Sequence, residues 1–160
     1  MEQRAFSQRA EQYKDMIFRI AWNYFGNPYD AEDMVQEVLL KLYREKKPFE
    51  GEANIRNWLI RVTLNLCRNT LRSPWRKRCI PLDEMRDEAA FERPEQEELF
   101  QTVMRMPAKD RTVLYLFYYE ELSIREIAQV LRVKESTVTT RLSRARQRLR
   151  SELTEVLGNG

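Results

Sequence analysis

Between Arg132 and Arg150 the side chains able to engage a ligand are hydroxyls and guanidiniums set in helical register. Thr139, Thr140, Arg141, Arg144 and Arg148 point away from an apolar repeat formed by Val138, Leu142, Ala145 and Leu149. Short hydroxyl side chains can reach base edges or phosphates in a DNA major groove, and arginine can grip guanine bidentately or clamp a phosphate. The stretch carries seven Lys/Arg against one acid, Glu135. A basic amphipathic helix is often only a solvated face, so its neighbours decide the reading.

Those neighbours form a helix-turn-helix. Ser123 and Glu126 have the spacing of a capping box, and Ile124, Ile127, Ala128 and Leu131 then fall on one helical face. Arg132-Val133-Lys134 breaks the pattern before the basic helix begins. A capped short helix, a three-residue turn and a longer basic helix together point to DNA contact. Upstream, Pro94-Glu95 opens a helix with Leu99, Val103 and Met106 inward, closed by Pro107. The apolar run from Asp110 to Tyr119 reads as the central buried helix of this four-helix unit.

The first half of the chain is also helical. Phe6, Tyr13, Ile17, Ile20, Ala21 and Tyr24 repeat over Ala5–Phe25, which Gly26-Asn27-Pro28 ends. A second helix starts near Tyr29-Asp30 and runs to about Lys46, with acids in its first turns and Val35, Val38, Leu39 and Leu42 as its core stripe. Asp33, Gln36, Glu37 and Lys41 share its polar face, which periodicity alone assigns to solvent. After the Lys47–Asn54 loop, whose Phe49 is either core or exposed, a third helix spans about Ala53 to Arg72. Ile55, Trp58, Leu59, Val62 and Leu66 are its expected inward residues. Trp, Arg and Asn beside an aromatic-bearing loop also suit single-stranded nucleic acid, by stacking and phosphate contact. On spacing alone Trp58 reads instead as a buried anchor of a three-helix core, with arginines on the wet side.

The balance of composition excludes several classes. The chain has no histidine, and Cys67 and Cys79 fit neither a metal-ligand spacing nor a disulfide framework, so no metal or other cofactor is expected. Without histidine, a P-loop or a convincing carboxylate cluster, an enzyme is the remote class. No apolar run approaches the roughly 20 residues of a membrane span, and no signal peptide is visible, so the expected place of action is the cytoplasm without stable membrane insertion. Net charge is +3, but Arg68–Arg78 holds five basic residues and no acid, while Asp83–Glu98 holds eight acids against two arginines. With Pro74, Pro81 and Pro94 around it and no sustained apolar period, 73–93 reads as a flexible linker. The fold class is therefore all-α, two small helical domains over 1–72 and 94–160 joined by that linker.

The order of motifs carries a resemblance. Y-D-A-E-D-M-V-Q-E-V-L-L-K-L-Y (Tyr29–Tyr43), N-W-L-I-R-V-T-L-N (Asn57–Asn65), M-P-A-K-D-R-T-V-L (Met106–Leu114) and S-I-R-E-I-A followed by T-V-T-T-R-L-S-R-A-R closely resemble the extracytoplasmic-function sigma factors of bacteria. The resemblance implies that the first domain is sigma region 2 and the second region 4. Asp33, Gln36 and Glu37 match the family's polymerase-binding motif, which would meet the clamp helices of the largest subunit of core RNA polymerase. The loop and third helix, through Phe49, Asn54, Arg56, Asn57, Arg61, Asn65 and Arg68, would take the −10 promoter element as a melted strand with a flipped base. Region 4 would bind the polymerase flap and set Lys134, Ser136, Thr137, Thr139, Thr140, Arg141, Arg144 and Arg148 in the −35 major groove. An anti-sigma factor is a further implied partner.

The chain departs from the family pattern at Arg132 and Ser136, where glycine is frequent, at Lys134, where proline is, at Thr139, where a cation is, and at Asn69, where aspartate is. A non-glycine at Arg132 implies strain or another turn geometry. Thr139 means that a −35 preference is not transferable from a relative. The alternative function is a non-sigma regulator that binds a duplex operator by itself, usually as a symmetric dimer.

Overall fold

Local signals place several of the helix ends. The computed structural model describes residues 1–71 and 94–158, with side-chain surroundings for 1–70 and 99–152; the expected linker, 73–93, lies outside the described residues. The chain divides into two units, Met1–Ala89 and Ala90–Gly160. Every described element is helical.

The first unit holds α1 (Gln3–Phe25), α2 (Pro28–Arg44) and α3 (Glu52–Leu71), each packed on the other two. Gly26 ends α1 in the left-handed conformation at φ 71°, its N–H donating to the Trp22 carbonyl. Asn27 follows at once as the N-cap of α2, accepting from the Tyr29 N–H at 2.8 Å, with Pro28 at the first helical position. Asp30, the acid in the first turn, is buried and accepts from the Asn27 amide. The core takes Ile17, Ile20 and Ala21 from α1, Ala31, Met34, Val38 and Leu42 from α2, and Ile55, Leu59, Ile60, Leu64 and Cys67 from α3. Cys67 is a buried free thiol acting as a small apolar residue.

The inward stripe of α3 differs from the expected one. Trp58, Val62 and Leu66 are only half-buried, whereas Ile60, Thr63 and Cys67 are enclosed. Thr63 is tolerated because its hydroxyl donates to the Leu59 carbonyl at 2.6 Å, leaving no unmet polar hydrogen.

The second unit holds α4 (Pro94–Arg105), α5 (Ala108–Tyr118), α6 (Ile124–Leu131) and α7 (Glu135–Gly158), with α7 packed against each of the other three. Leu122, Ile127, Ala128, Val130, Val138, Leu142 and Ala145 close the core with Val113, Leu114 and Leu116 of α5. The expectation that α5 is buried throughout fails at its end. Tyr118 and Tyr119 are 56% and 61% exposed, because the helix stops there and the chain turns through Glu121 at φ 59°. Arg111, which nothing in the apolar pattern marked, is buried. Its guanidinium donates to the carbonyls of Met104 and Met106 at 3.2 and 2.9 Å, satisfying groups that the end of α4 leaves without helical partners.

Candidate nucleic-acid and partner interfaces

The helix-turn-helix is built by its cap and its turn. Ser123 accepts from the Glu126 N–H at 3.1 Å while the Ser123 N–H donates to the Glu126 carboxylate at 3.0 Å, a complete capping box. Arg132 then takes the left-handed conformation (φ 57°, ψ 46°), and the N–H groups of Arg132 and Val133 both reach the Ala128 carbonyl. The turn keeps the geometry that favours glycine and holds a strained arginine in it.

On α7, Val138, Leu142 and Ala145 face inward, which puts Ser136, Thr140, Arg144 and Arg148 on one four-residue ridge outside. Thr137 and Arg141 flank that ridge half-buried, and exposed Thr139 lies across its crest; Lys134 is exposed just before the helix. The hydroxyls of Thr139 and Thr140 donate to the Glu135 and Ser136 carbonyls at 3.0 and 2.9 Å. With its proton directed at a carbonyl, each hydroxyl keeps its remaining lone pairs for an incoming donor. Farther along, Arg144 pairs with the buried Asp110 at 3.3 Å, and Arg148 donates to the Arg105 carbonyl at 3.4 Å. Ser143 and Gln147, not singled out by the sequence reading, are exposed on the same outer side. Helical projection around Val138 was the signal that finds them.

On α3, Asn54, Asn57, Arg61, Asn65 and Arg68 fall along a single outward arc, with Trp58 at its edge. Phe49 meets Trp58 edge-to-face, ring centroids 5.4 Å apart, and the Arg9 guanidinium lies 5.5 Å from the Phe49 centroid. Trp58 is thus a shared wall between loop and helix rather than a core anchor. Asn54 accepts from the Glu50 N–H, holding the loop against the helix. The Arg61 Nε is enclosed with no acceptor among the described residues. Arg56 is the residue the fold separates from this set. It projects from the opposite side of α3, where its charge acts on the Tyr13 hydroxyl; Tyr13 and Gln12 both donate to the Glu52 carboxylate. That enclosure, the hydrogen bond and the charge of Glu52 push the Tyr13 hydroxyl up to about 12, against opposing effects of Arg56 and Arg9.

On α2, Asp33, Gln36 and Glu37 are all exposed on one face. Leu40, 46% exposed one turn on, adds an apolar side chain to that strip, and Tyr29 stands exposed at its start. Neither belongs to the apolar stripe of Val35, Val38, Leu39 and Leu42, and a polar-face pattern does not mark an apolar residue as a contact.

Residues 10–77 match the family described as Sigma-70 region 2, and residues 96–149 match Sigma-70, region 4. The chain is 30% identical over 149 residues to the ECF RNA polymerase sigma factor SigM of Mycobacterium tuberculosis, covering 91% of this chain and 75% of that protein. The chain belongs to the extracytoplasmic-function sigma factors. This sigma factor is also 28% identical to SigW of Bacillus subtilis over 97% of its own length and 92% of that relative. Among solved structures it is similar to CnrH in complex with the cytosolic domain of CnrY, with 25% identity, TM-score 0.67, and 96% and 90% of the two chains covered. It shares the fold of the sigma factor RpoE from Bartonella quintana, solved with the anti-sigma factor NepR, at TM-score 0.75 and 21% identity over 94% and 97% of the two chains.

As an ECF sigma factor the protein directs transcription initiation through regions 2 and 4. Sigma factors are non-catalytic subunits of RNA polymerase, and membership replaces the alternative of a free-standing operator-binding regulator. No helix among the described residues is long and apolar enough to cross a membrane.

Proposed function

We propose that this sigma factor divides its contacts among three helix faces. The α2 strip of Asp33, Gln36 and Glu37, extended by Leu40, docks on the clamp helices of core polymerase, where exposed acids and an amide pair with basic residues and set register. The α3 arc of Asn54, Asn57, Arg61, Asn65 and Arg68 follows the melted −10 strand, and the Phe49–Trp58 wall receives a flipped base. Arg61, half-buried on that arc, and exposed Arg68 supply the cations for phosphate contact there. The α7 ridge reads the −35 duplex, with Thr139 and Thr140 accepting from the amino groups of adenine or cytosine or packing on a thymine methyl. Region 4 also meets the polymerase flap.

Residues 1–72 form the polymerase and −10 domain and 94–160 the −35 domain, with 73–93 between them as linker. An anti-sigma factor is a partner of this chain, as the partners in the similar CnrH and RpoE structures support. The chain acts in the cytoplasm, where the polymerase is. The observation that carries this reading is the joint presence of an exposed Asp33–Gln36–Glu37 strip and a capped helix-turn-helix in one chain matching regions 2 and 4.

The test is transcription in vitro by bacterial core polymerase on a genomic fragment library, with and without the purified chain, followed by sequencing of transcript starts. Starts that need the chain and share two upstream elements at fixed spacing are expected. Absence of such starts, together with tight binding of a palindromic duplex by the chain alone, overturns the assignment of the three faces.

A further inference from the structure

The pairing of Arg144 with Asp110 divides the α7 ridge into two halves. The Arg144 side chain is 51% exposed, while the Asp110 side chain is 5% exposed, at 3.3 Å. The carboxylate is thus enclosed behind the guanidinium, and the remaining N–H groups of Arg144 are open to a ligand. Lys109 and Arg148 rim the same groove between the start of α5 and α7. Three cations around one enclosed acid leave its mouth positive.

Distance assigns the ligand. Arg144 lies nine residues beyond Glu135, the first residue of α7, or about 14 Å at 1.5 Å per residue. A major groove is about 12 Å wide, and a recognition helix meets base edges with its N-terminal residues. Ser136, Thr139 and Thr140 are then at the bases, and Arg144 is at the strand that bounds the groove. We infer that Asp110 is a positioning residue that aims Arg144 at a backbone phosphate of the −35 element, rather than leaving it to read a base. This rests on the assignment of α7 to −35 DNA. The buried carboxylate holds the guanidinium through one nitrogen and narrows its orientations, while Lys109, Arg144 and Arg148 together outweigh its single negative charge at the groove. Were it a mask instead, its removal would strengthen binding.

The experiment uses core polymerase with the full chain, on a promoter fragment recovered by the transcription screen, titrated against KCl. Wild type is compared with Arg144→Ala, Asp110→Asn, Asp110→Glu and the double variant Asp110→Asn/Arg144→Ala. Arg144→Ala is expected to weaken binding about tenfold and lower the salt slope by roughly one, with discrimination among −35 base pairs kept. Asp110→Asn is expected to weaken binding about threefold to fivefold, Asp110→Glu to restore part of it, and the double variant to match Arg144→Ala alone. Neutral methylphosphonates placed singly along the −35 element supply a test on the wild-type protein. One position is expected to weaken wild type and to have no effect on Arg144→Ala. Tighter binding by Asp110→Asn, additive losses in the double variant, or no methylphosphonate position that depends on Arg144 overturns the inference. Wild-type holoenzyme indifferent to the −35 sequence overturns the assignment of α7, and the inference with it.

Discussion

Phe49 and Trp58 meet edge-to-face across the junction of the α2–α3 loop and α3, their centroids 5.4 Å apart, with Arg9 of α1 over the Phe49 ring. Three segments of region 2 thereby converge on one aromatic pair beside the Asn54–Arg68 arc. Stacking of a base on an aromatic side chain contributes about 1–3 kcal/mol. Phe49→Ala is expected to slow promoter opening by about tenfold or more, read from the fluorescence of 2-aminopurine in the −10 element, with affinity for core polymerase retained. Opening at the wild-type rate would remove the pair from the −10 contact.

Gln36 stands exposed on α2 and its removal leaves no buried group unmet. Gln36→Ala is expected to reduce affinity for core polymerase by about fivefold, near 1 kcal/mol, while the melting temperature stays that of wild type. Leu40→Ala is expected to act in the same direction, since truncating an exposed leucine costs the free protein little. Competition between labelled and unlabelled sigma factor for core polymerase gives both numbers, and equal competition by the variants would detach α2 from the clamp.

Arg132 ends α6 at φ 57°. Left-handed backbone costs an L-residue about 1–2 kcal/mol, part of which glycine returns as unfolded-state entropy. Arg132→Gly is therefore expected to raise stability by about 0.5–1 kcal/mol in urea unfolding. A loss of stability would mean that the arginine side chain contributes more than its backbone strain costs.

The Tyr13–Glu52 contact sets an alkaline limit. The Tyr13 pKa is raised from 10.0 to about 12 in the folded chain, so between those values the folded state holds a proton that the unfolded state has released. The stabilisation is complete below about pH 10 and declines as pH rises towards 12. The advantage of wild type over Tyr13→Phe in urea midpoint should be constant from pH 7 to 9 and shrink above 10. A constant difference to pH 11 would show that the hydroxyl titrates alike in both states.

Much of the architecture is legible locally. The Ser123–Glu126 capping box, the Gly26-Asn27-Pro28 stop and restart, and the core positions Val138, Leu142 and Ala145 each depend on residues within about one turn of each other, where backbone geometry dictates which groups meet. The motif order also carries the family. The wet side of α3 was less legible, because Trp58, Val62 and Leu66 keep helical spacing as well as Ile60, Thr63 and Cys67 do. A period defines a stripe but not which of two adjacent stripes faces the partner helices.

The sequence by itself determined the helices, the capping box of α6, the sigma family and the exposed character of Asp33, Gln36 and Glu37. Tertiary structure alone decided that the Glu52 carboxylate meets Tyr13 of α1, that Arg111 closes the end of α4, and that Arg144 is held by a carboxylate 34 residues away. Each of these depends on where a charge finds its partner after the helices dock. Long guanidinium side chains are free to choose among several directions until packing encloses an acceptor within reach, and no spacing along the chain records that choice.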